Sequence, residues 1–265
     1  MKMMRNQRRW TIKTHLVIPD VQFRDGDNSD FLKCIGRYIA KKEPDVVVCL
    51  GDFADMPSLS SYDVGKKAFE GKRYTKDVAA AKEAMQALLG PIKEFNKQAK
   101  LNKQKQYKPR MVLTLGNHED RITRAVNSDA KLEGVLSLND LEYEKDWEVF
   151  PYLEVVVIDG IAYSHYFTSG ALGRPCASAA TMLAKKHQSC IAGHQQGLQI
   201  AMGNRADGSP ITAIIAGSCY EHDEDYLGPQ GNKHWRGILM LHEVQDGMFD
   251  LMPVSLKYLK NKYGS

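Results

Sequence analysis

Long apolar runs are missing from this 265-residue chain: the longest, 46–50 and 155–158, are strand-sized and far short of the roughly 20 residues that cross a bilayer. No membrane partner is therefore expected. Cysteine is scarce, with Cys34, Cys49, Cys176, Cys190 and Cys219 forming an odd set of five without a C-x-x-C pair. They read as reduced core thiols rather than a disulfide framework. The basic first residues lead into no apolar segment, so a secretory signal is not expected and the expected location is the cytoplasm. Internal repeats and Pro-, Gly- or Ser-rich linkers are also lacking. With 43% hydrophobic and 26% charged residues, the composition excludes a disordered or collagen-like chain.

Charge of one sign is nearly absent as well, the net being only +4, but it is unevenly placed. Residues 1–10 carry four basic side chains and no acid, and 93–110 carry seven against the single Glu94, leaving −6 on the remainder. The body is acidic and two appendages make it basic. The length corresponds to roughly 1.8 average domains.

What is present is an alternation of short β-branched runs and helical patterns. Strands are expected at 15–18, 46–50 and 111–115, with a helix over 29–42 and a long helical stretch over 75–105 interrupted at Gly90-Pro91. Such an order implies parallel crossovers. In the second half, Asp159-Gly160 between apolar runs signals a hairpin, and 205–209 separates a second pair of strands. These elements predict two sheets in one layered α/β domain spanning 1–265, with 1–10 a flexible basic terminus.

The polar residues stand where the strands end. Asp20-Val21-Gln22 follows the first strand, Gly51-Asp52-Phe53-Ala54-Asp55 the second, and Gly116-Asn117-His118-Glu119 the third. Ser164-His165 and Gly193-His194-Gln195-Gln196 close two later strands. Carboxyl ends of strands are where open α/β sheets hold ligands. A lone motif of this kind is background, but five in order are not.

The series D-x-Q, G-D-x-x-D, G-N-H-E, S-H and G-H-x-Q resembles the calcineurin-like metallophosphoesterase family, whose pattern has D-x-H and G-H-x-H in the first and last places. The 220–236 segment looks most like bacterial and phage members. The resemblance implies a layered β-sandwich of two mixed sheets flanked by helices. It implies two divalent metal ions and a bridging hydroxide that attacks phosphorus. One ion would be held by Asp52, Asn117, His165 and His194, the other by Asp20, Gln22, Asp52 and Gln196. It makes His118 the general acid toward the leaving oxygen and Asp55 its orienting carboxylate.

Both departures from the pattern, Gln22 and Gln196, fall on one metal. That site becomes all-oxygen, which favours Mg²⁺, Mn²⁺ or Ca²⁺, while its neighbour suits Mn²⁺, Fe²⁺ or Zn²⁺. The expectation is an asymmetric pair, most active with Mn²⁺, in which the glutamine site is weaker. An empty weak site, or His222 or His234 as a replacement ligand, are the other readings.

Arg121, Arg124 and Arg174 are candidate phosphate-binding side chains, each with a surface salt bridge as its alternative. Glu119 reads first as a helix-start carboxylate and second as an anchor for the site. Substrate is less legible. The loop 53–74 interleaves Met56, Leu59, Tyr62, Phe69 and Tyr74 with Lys66, Lys67, Lys72 and Arg73, a pattern that suits stacked bases or a lid packed on the body. The lysines of 93–110 suit a phosphate backbone or a solvated helix face. The 220–236 loop, of mixed charge, suits an internal network or a gate. DNA or RNA hydrolysis by a nuclease or DNA phosphatase narrowly leads, ahead of a small-molecule phosphodiesterase. A non-catalytic scaffold is the competing class. A protein phosphatase is disfavoured because Thr114-Leu115 precedes Gly116 where those enzymes resemble one another in an arginine.

Overall fold

A computed structural model describes residues 12–61, 65–224 and 227–264; the basic segment 1–10 and Tyr62 lie outside them. Four strands run parallel, β1 (Lys13–Ile18), β2 (Val46–Cys49), β3 (Arg110–Thr114) and β4 (Glu148–Phe150). The second sheet holds β5 (Val156–Ile158), β6 (Ile161–Ser164), β7 (Cys190–Ala192), β8 (Leu198–Asn204) and β9 (Pro210–Ala216) in the order β5-β6-β7-β9-β8. Finally β10 (Gly237–Gln245) and β11 (Met248–Ser255) return to the first sheet, giving β11-β10-β1-β2-β3-β4. Both sheets mix parallel and antiparallel pairs, as expected. Both anticipated hairpins are present.

Strand alternation builds the layers. Val17, Val46, Val48 and Leu50 of the first sheet meet Ile161, Tyr163, Ile191 and Ile214 of the second in one buried core. The opposite faces, Leu16, Ile18, Val47 and Cys49, are covered by α1 (Asp30–Lys42) and α2 (Tyr74–Leu101). A third cluster packs Ala179 and Met182 of α4 (Ala179–Lys186) on the outer side of the second sheet. Shorter helices are α3 (Asp120–Ser128), α5 (Gly228–Gly231) and α6 (Leu256–Tyr263). All five cysteines are buried and free.

The expected break at Gly90-Pro91 is not there: α2 continues through Pro91. An interior proline costs a helix about 3 kcal/mol, but α1 packs against this turn so closely that a Cβ on Gly36 would lie 2.2 Å from the Leu88 carbonyl and 3.1 Å from Pro91 Cδ. Helix–helix burial overrides the local signal. The helix ends at Leu101 rather than 105, and the six lysines of 93–110 are exposed beside buried Ile92 and Ala99. They form a solvated face.

Register places the site. Ile18 pairs with Cys49 and Cys49 with Leu113, so the first three strands end in one row. In the other sheet Ser164 pairs with Ala192, setting His165 and His194 side by side. Face-to-face packing then brings the two rows together: Cys219 N donates to the Asp20 carbonyl at 2.7 Å, and His194 N to Asp20 Oδ1 at 3.0 Å.

Candidate metal centre

Asp52 is the middle of the site. It is 1% exposed, and its backbone takes the left-handed φ of +47° that turns its side chain back over the sheet end. Asp52 Oδ1 accepts from the His118 amide at 2.8 Å, and Oδ2 lies 3.3 Å from His165 Nε2 and 3.7 Å from His118 Nε2. Such proximity requires bare backbone. A Cβ on Gly116 would lie 2.1 Å from Asp52 Oδ1, and one on Gly193 would lie 2.3 Å from Asp20 Oδ1, so both motif glycines are sterically compelled.

One half of the centre carries nitrogen. Ligand atoms of Asp52, His165 and His194 all lie within 4.8 Å of one another. Asn117 Oδ1 stands 2.9 Å from His165 Nε2 and 2.8 Å from His194 Nδ1. His165 Nδ1 donates to the Leu50 carbonyl at 2.7 Å, which leaves Nε2 as the nitrogen facing Asp52, the usual way a ligating histidine is oriented. Burial, followed by the neighbouring His165, pushes His194 down to about 4. His165 moves the other way: against its own burial, Asp52 raises it to about 9.

The other half is oxygen only. Asp20 is fully buried; its Oδ1 accepts from the His194 amide at 3.0 Å, but Oδ2 has no partner. Gln22 Oε1 and Gln196 Oε1 are likewise buried without partners. An unsatisfied buried acceptor costs about 1–3 kcal/mol, and a divalent cation is the group that three such oxygens would satisfy together. Burial raises the Asp20 carboxyl to about 7, with the nearby Asp52 charge adding and His165 opposing. Asp52 moves the other way: burial opposes its charge, but His118 and His165 outweigh burial and hold it well below the usual carboxylate range. The residues therefore fit divalent metal: Asp52, His165 and His194 offer grouped ligand atoms, and Asp20, Gln22 and Gln196 offer unpartnered buried oxygens.

His118 and Asp55 come together beside this centre. His118 Nδ1 donates to Asp55 Oδ1 at 2.6 Å, and its Nε2 lies 3.2 Å from Arg121 Nη2 and 3.7 Å from Asp52 Oδ2. Burial opposes the imidazolium, yet Asp52 and then Asp55 raise His118 above its ordinary value. Asp55 is held down by the His118 hydrogen bond against its own burial. Two partners were not foreseen. Arg24 Nε donates to Asp55 Oδ2 at 2.6 Å and its Nη2 reaches Glu224; the signal available was a basic residue two positions beyond Gln22. The 220–236 loop does serve an internal network.

Glu119 reverses the first reading. It is wholly buried and accepts four backbone N–H groups, from Asp52 and Gly116 at 2.9 Å, Phe53 at 2.7 Å and Ala54 at 3.0 Å. The carboxylate clamps the loop that carries Asp52. His222 and His234 are not replacement ligands: His222 faces Asp27 and Glu224 at 3.3 and 2.9 Å, and His234 is bonded to Ser218 and the Gly231 carbonyl, each at 2.7 Å.

A cleft of about 260 Å³ opens over the centre, lined by Asn117, His194, Arg121, Arg124, Tyr152 and Tyr166 among others. Arg121 also donates to the Asp55 carbonyl at 2.6 Å, and Arg124 to the Asn117 carbonyl at 2.8 Å. Arg174 is exposed in the turn beyond Gly173 and is not part of this lining. Tyr166, whose ring centroid is 4.9 Å from that of His194, and Tyr152, which donates to Tyr166 Oη at 3.2 Å, were missed because nothing local marks a tyrosine as cleft-lining. Phe53 and Met56 are fully buried, and Tyr74 donates to Asp140 at 2.6 Å. These side chains of 53–74 pack on the body instead of offering a stacking surface.

The fold and this centre define a metal-dependent phosphoesterase, a hydrolase. The chain belongs to the calcineurin-like phosphoesterase family, whose model matches residues 14–183. A dimetal phosphatase from Danio rerio is similar at 12% identity over 92% of this chain and 96% of that one, with a TM-score of 0.44. A predicted phosphoesterase from Streptococcus pneumoniae is similar at 10% identity over 92% and 99%, with a TM-score of 0.32. No curated protein matches the chain.

Proposed function

We propose that this protein hydrolyses small phosphate esters at a pair of divalent metal ions, with His118 as the general acid. The observation that carries the reading is the pairing of the Asp52, Asn117, His165 and His194 cluster with three unpartnered oxygens, Asp20 Oδ2, Gln22 Oε1 and Gln196 Oε1. When bound, the metals would activate water and neutralise phosphate charge. The chain's own groups do the rest. Arg121 and Arg124 face the cleft with positive charge for the non-bridging phosphate oxygens. His118, its Nδ1 held by Asp55, presents Nε2 to protonate the leaving oxygen. That intact pair supports catalysis over a non-catalytic scaffold.

Small esters are favoured over DNA or RNA because Phe53, Met56 and Tyr74, which suggested a stacking surface, pack on the body instead. A panel of chromogenic mono- and diesters and single- and double-stranded DNA and RNA, each with Mn²⁺, Mg²⁺ or Zn²⁺, tests this. Small esters should be hydrolysed at a rate nearly constant between about 50 and 200 mM salt. Nucleic-acid cleavage that weakens steeply over the same range would replace the small-ester reading with a nuclease.

The metals are proposed to be unequal, with Mn²⁺ the working ion. Elemental analysis after dialysis should find the nitrogen-bearing site filled and the oxygen-only site depleted. The double variant Gln22→His and Gln196→His should retain a second ion and shift preference toward Zn²⁺. Two equally tight zinc ions in the unaltered protein would refute the asymmetry.

A further inference from the structure

Beside the cleft lies a larger chamber of about 670 Å³, within the 300–1,000 Å³ range of small-molecule pockets. Leu115 at the end of β3, Val149 of β4, Pro151 and Tyr143 make much of its wall apolar. Asp120 and Tyr152 line both the chamber and the cleft, so the chamber is the next space available to anything held at the metal ligands. Nothing in the proposed chemistry uses it.

Its charge selects what can enter. Glu142 is matched by Lys82 at 3.0 Å and by Lys145, but among the described residues Asp120 is paired only with the exposed Arg124, at 3.3 Å, and Glu144 is exposed. An anion is repelled here, whereas an apolar ring that brings hydrogen-bond donors to Asp120 is matched. The phosphate thus stays with the arginines and its organic part occupies the chamber.

We propose that this chamber binds the organic group of the substrate, a neutral planar aromatic ring bearing N–H donors, of the nucleobase type, with the ring beside Tyr152 and its donors toward Asp120. The proposal rests on the phosphoesterase reading for the position of the phosphate and makes the substrate class a nucleotide-type ester.

Adenosine, which has the ring and no phosphate, is the probe that separates the two. Titrated calorimetrically into the wild-type protein it should bind saturably, and Thr123→Trp and Leu138→Trp, which fill the chamber from α3 and from the 138–141 turn, should each weaken it by about tenfold or more. The same variants should raise KM for AMP by a similar factor and leave glycerol phosphate hydrolysis unchanged. Melting curves identify a variant that does not fold, and the other then decides. Absence of saturable adenosine binding, or binding that neither tryptophan weakens, overturns the proposal even if AMP is hydrolysed. Binding lost in the tryptophan variants, with no ester hydrolysed by any form, supports the chamber and strikes only the phosphoesterase reading.

Discussion

His118→Ala should lower kcat by about 10²–10⁴, the usual contribution of a positioned general acid, while metal content after dialysis stays at the wild-type level. The separation of the two effects follows from geometry. His118 contacts the centre through its backbone amide, 2.8 Å from Asp52 Oδ1, and alanine keeps that amide. Its imidazole donates to Asp55, while its Nε2 stands 3.7 Å from Asp52 Oδ2, beyond hydrogen-bond length. The pKa of His118 is raised because Asp52 and Asp55 outweigh burial, so loss of its proton should appear as a falling rate on the alkaline side. In His118→Ala that alkaline limb should vanish. Loss of metal on the same substitution would make His118 a ligand instead of an acid.

The largest stability effect is expected at Glu119. Its carboxylate satisfies four amides in a site with no access to water. Hydrogen bonds to a charged acceptor contribute about 1.5–3 kcal/mol each, and orphaned buried donors carry their own penalty. Even with strong non-additivity, Glu119→Ala should cost about 4 kcal/mol or more and lower Tm by roughly 10 °C, with loss of metal because the Asp52 loop is no longer held. Glu119→Gln should fall between, since its amide oxygen can still serve one pair of donors while its NH₂ faces the other. Thermal melting with elemental analysis reads both. A Glu119→Ala protein as stable as wild type would show that the loop is held by its strand ends alone.

Much of this centre was legible because its residues lie at strand ends, where a short motif carries both the turn and the ligand. Asp20, Asp52, Asn117, His118, His165 and His194 all stand in such motifs, and the resemblance of D-x-Q and G-H-x-Q to the family's pattern implies that both glutamines belong to one metal. The Asp159-Gly160 hairpin was read from its turn, while Asp246-Gly247 between β10 and β11 was passed over, although the same signal is present. Glu119 was misjudged because a carboxylate at a helix start has a sufficient local explanation. Arg24 and Glu224, 200 residues apart, could not have been paired by any local rule. The same holds for Pro91, whose local instruction to break the helix is outweighed by contact with α1.

By itself the sequence determined the alternation of strands and helices and the order of the strand-end motifs, which follow from side-chain periodicity; the ligand assignment is what the resemblance of those motifs to the family implies. Tertiary structure alone decided which acidic groups are buried, which carboxylate clamps the Asp52 loop, and that a chamber adjoins the cleft. Burial and pairing depend on the packing of two sheets whose facing residues are far apart in the chain, and local pattern carries no record of that distance.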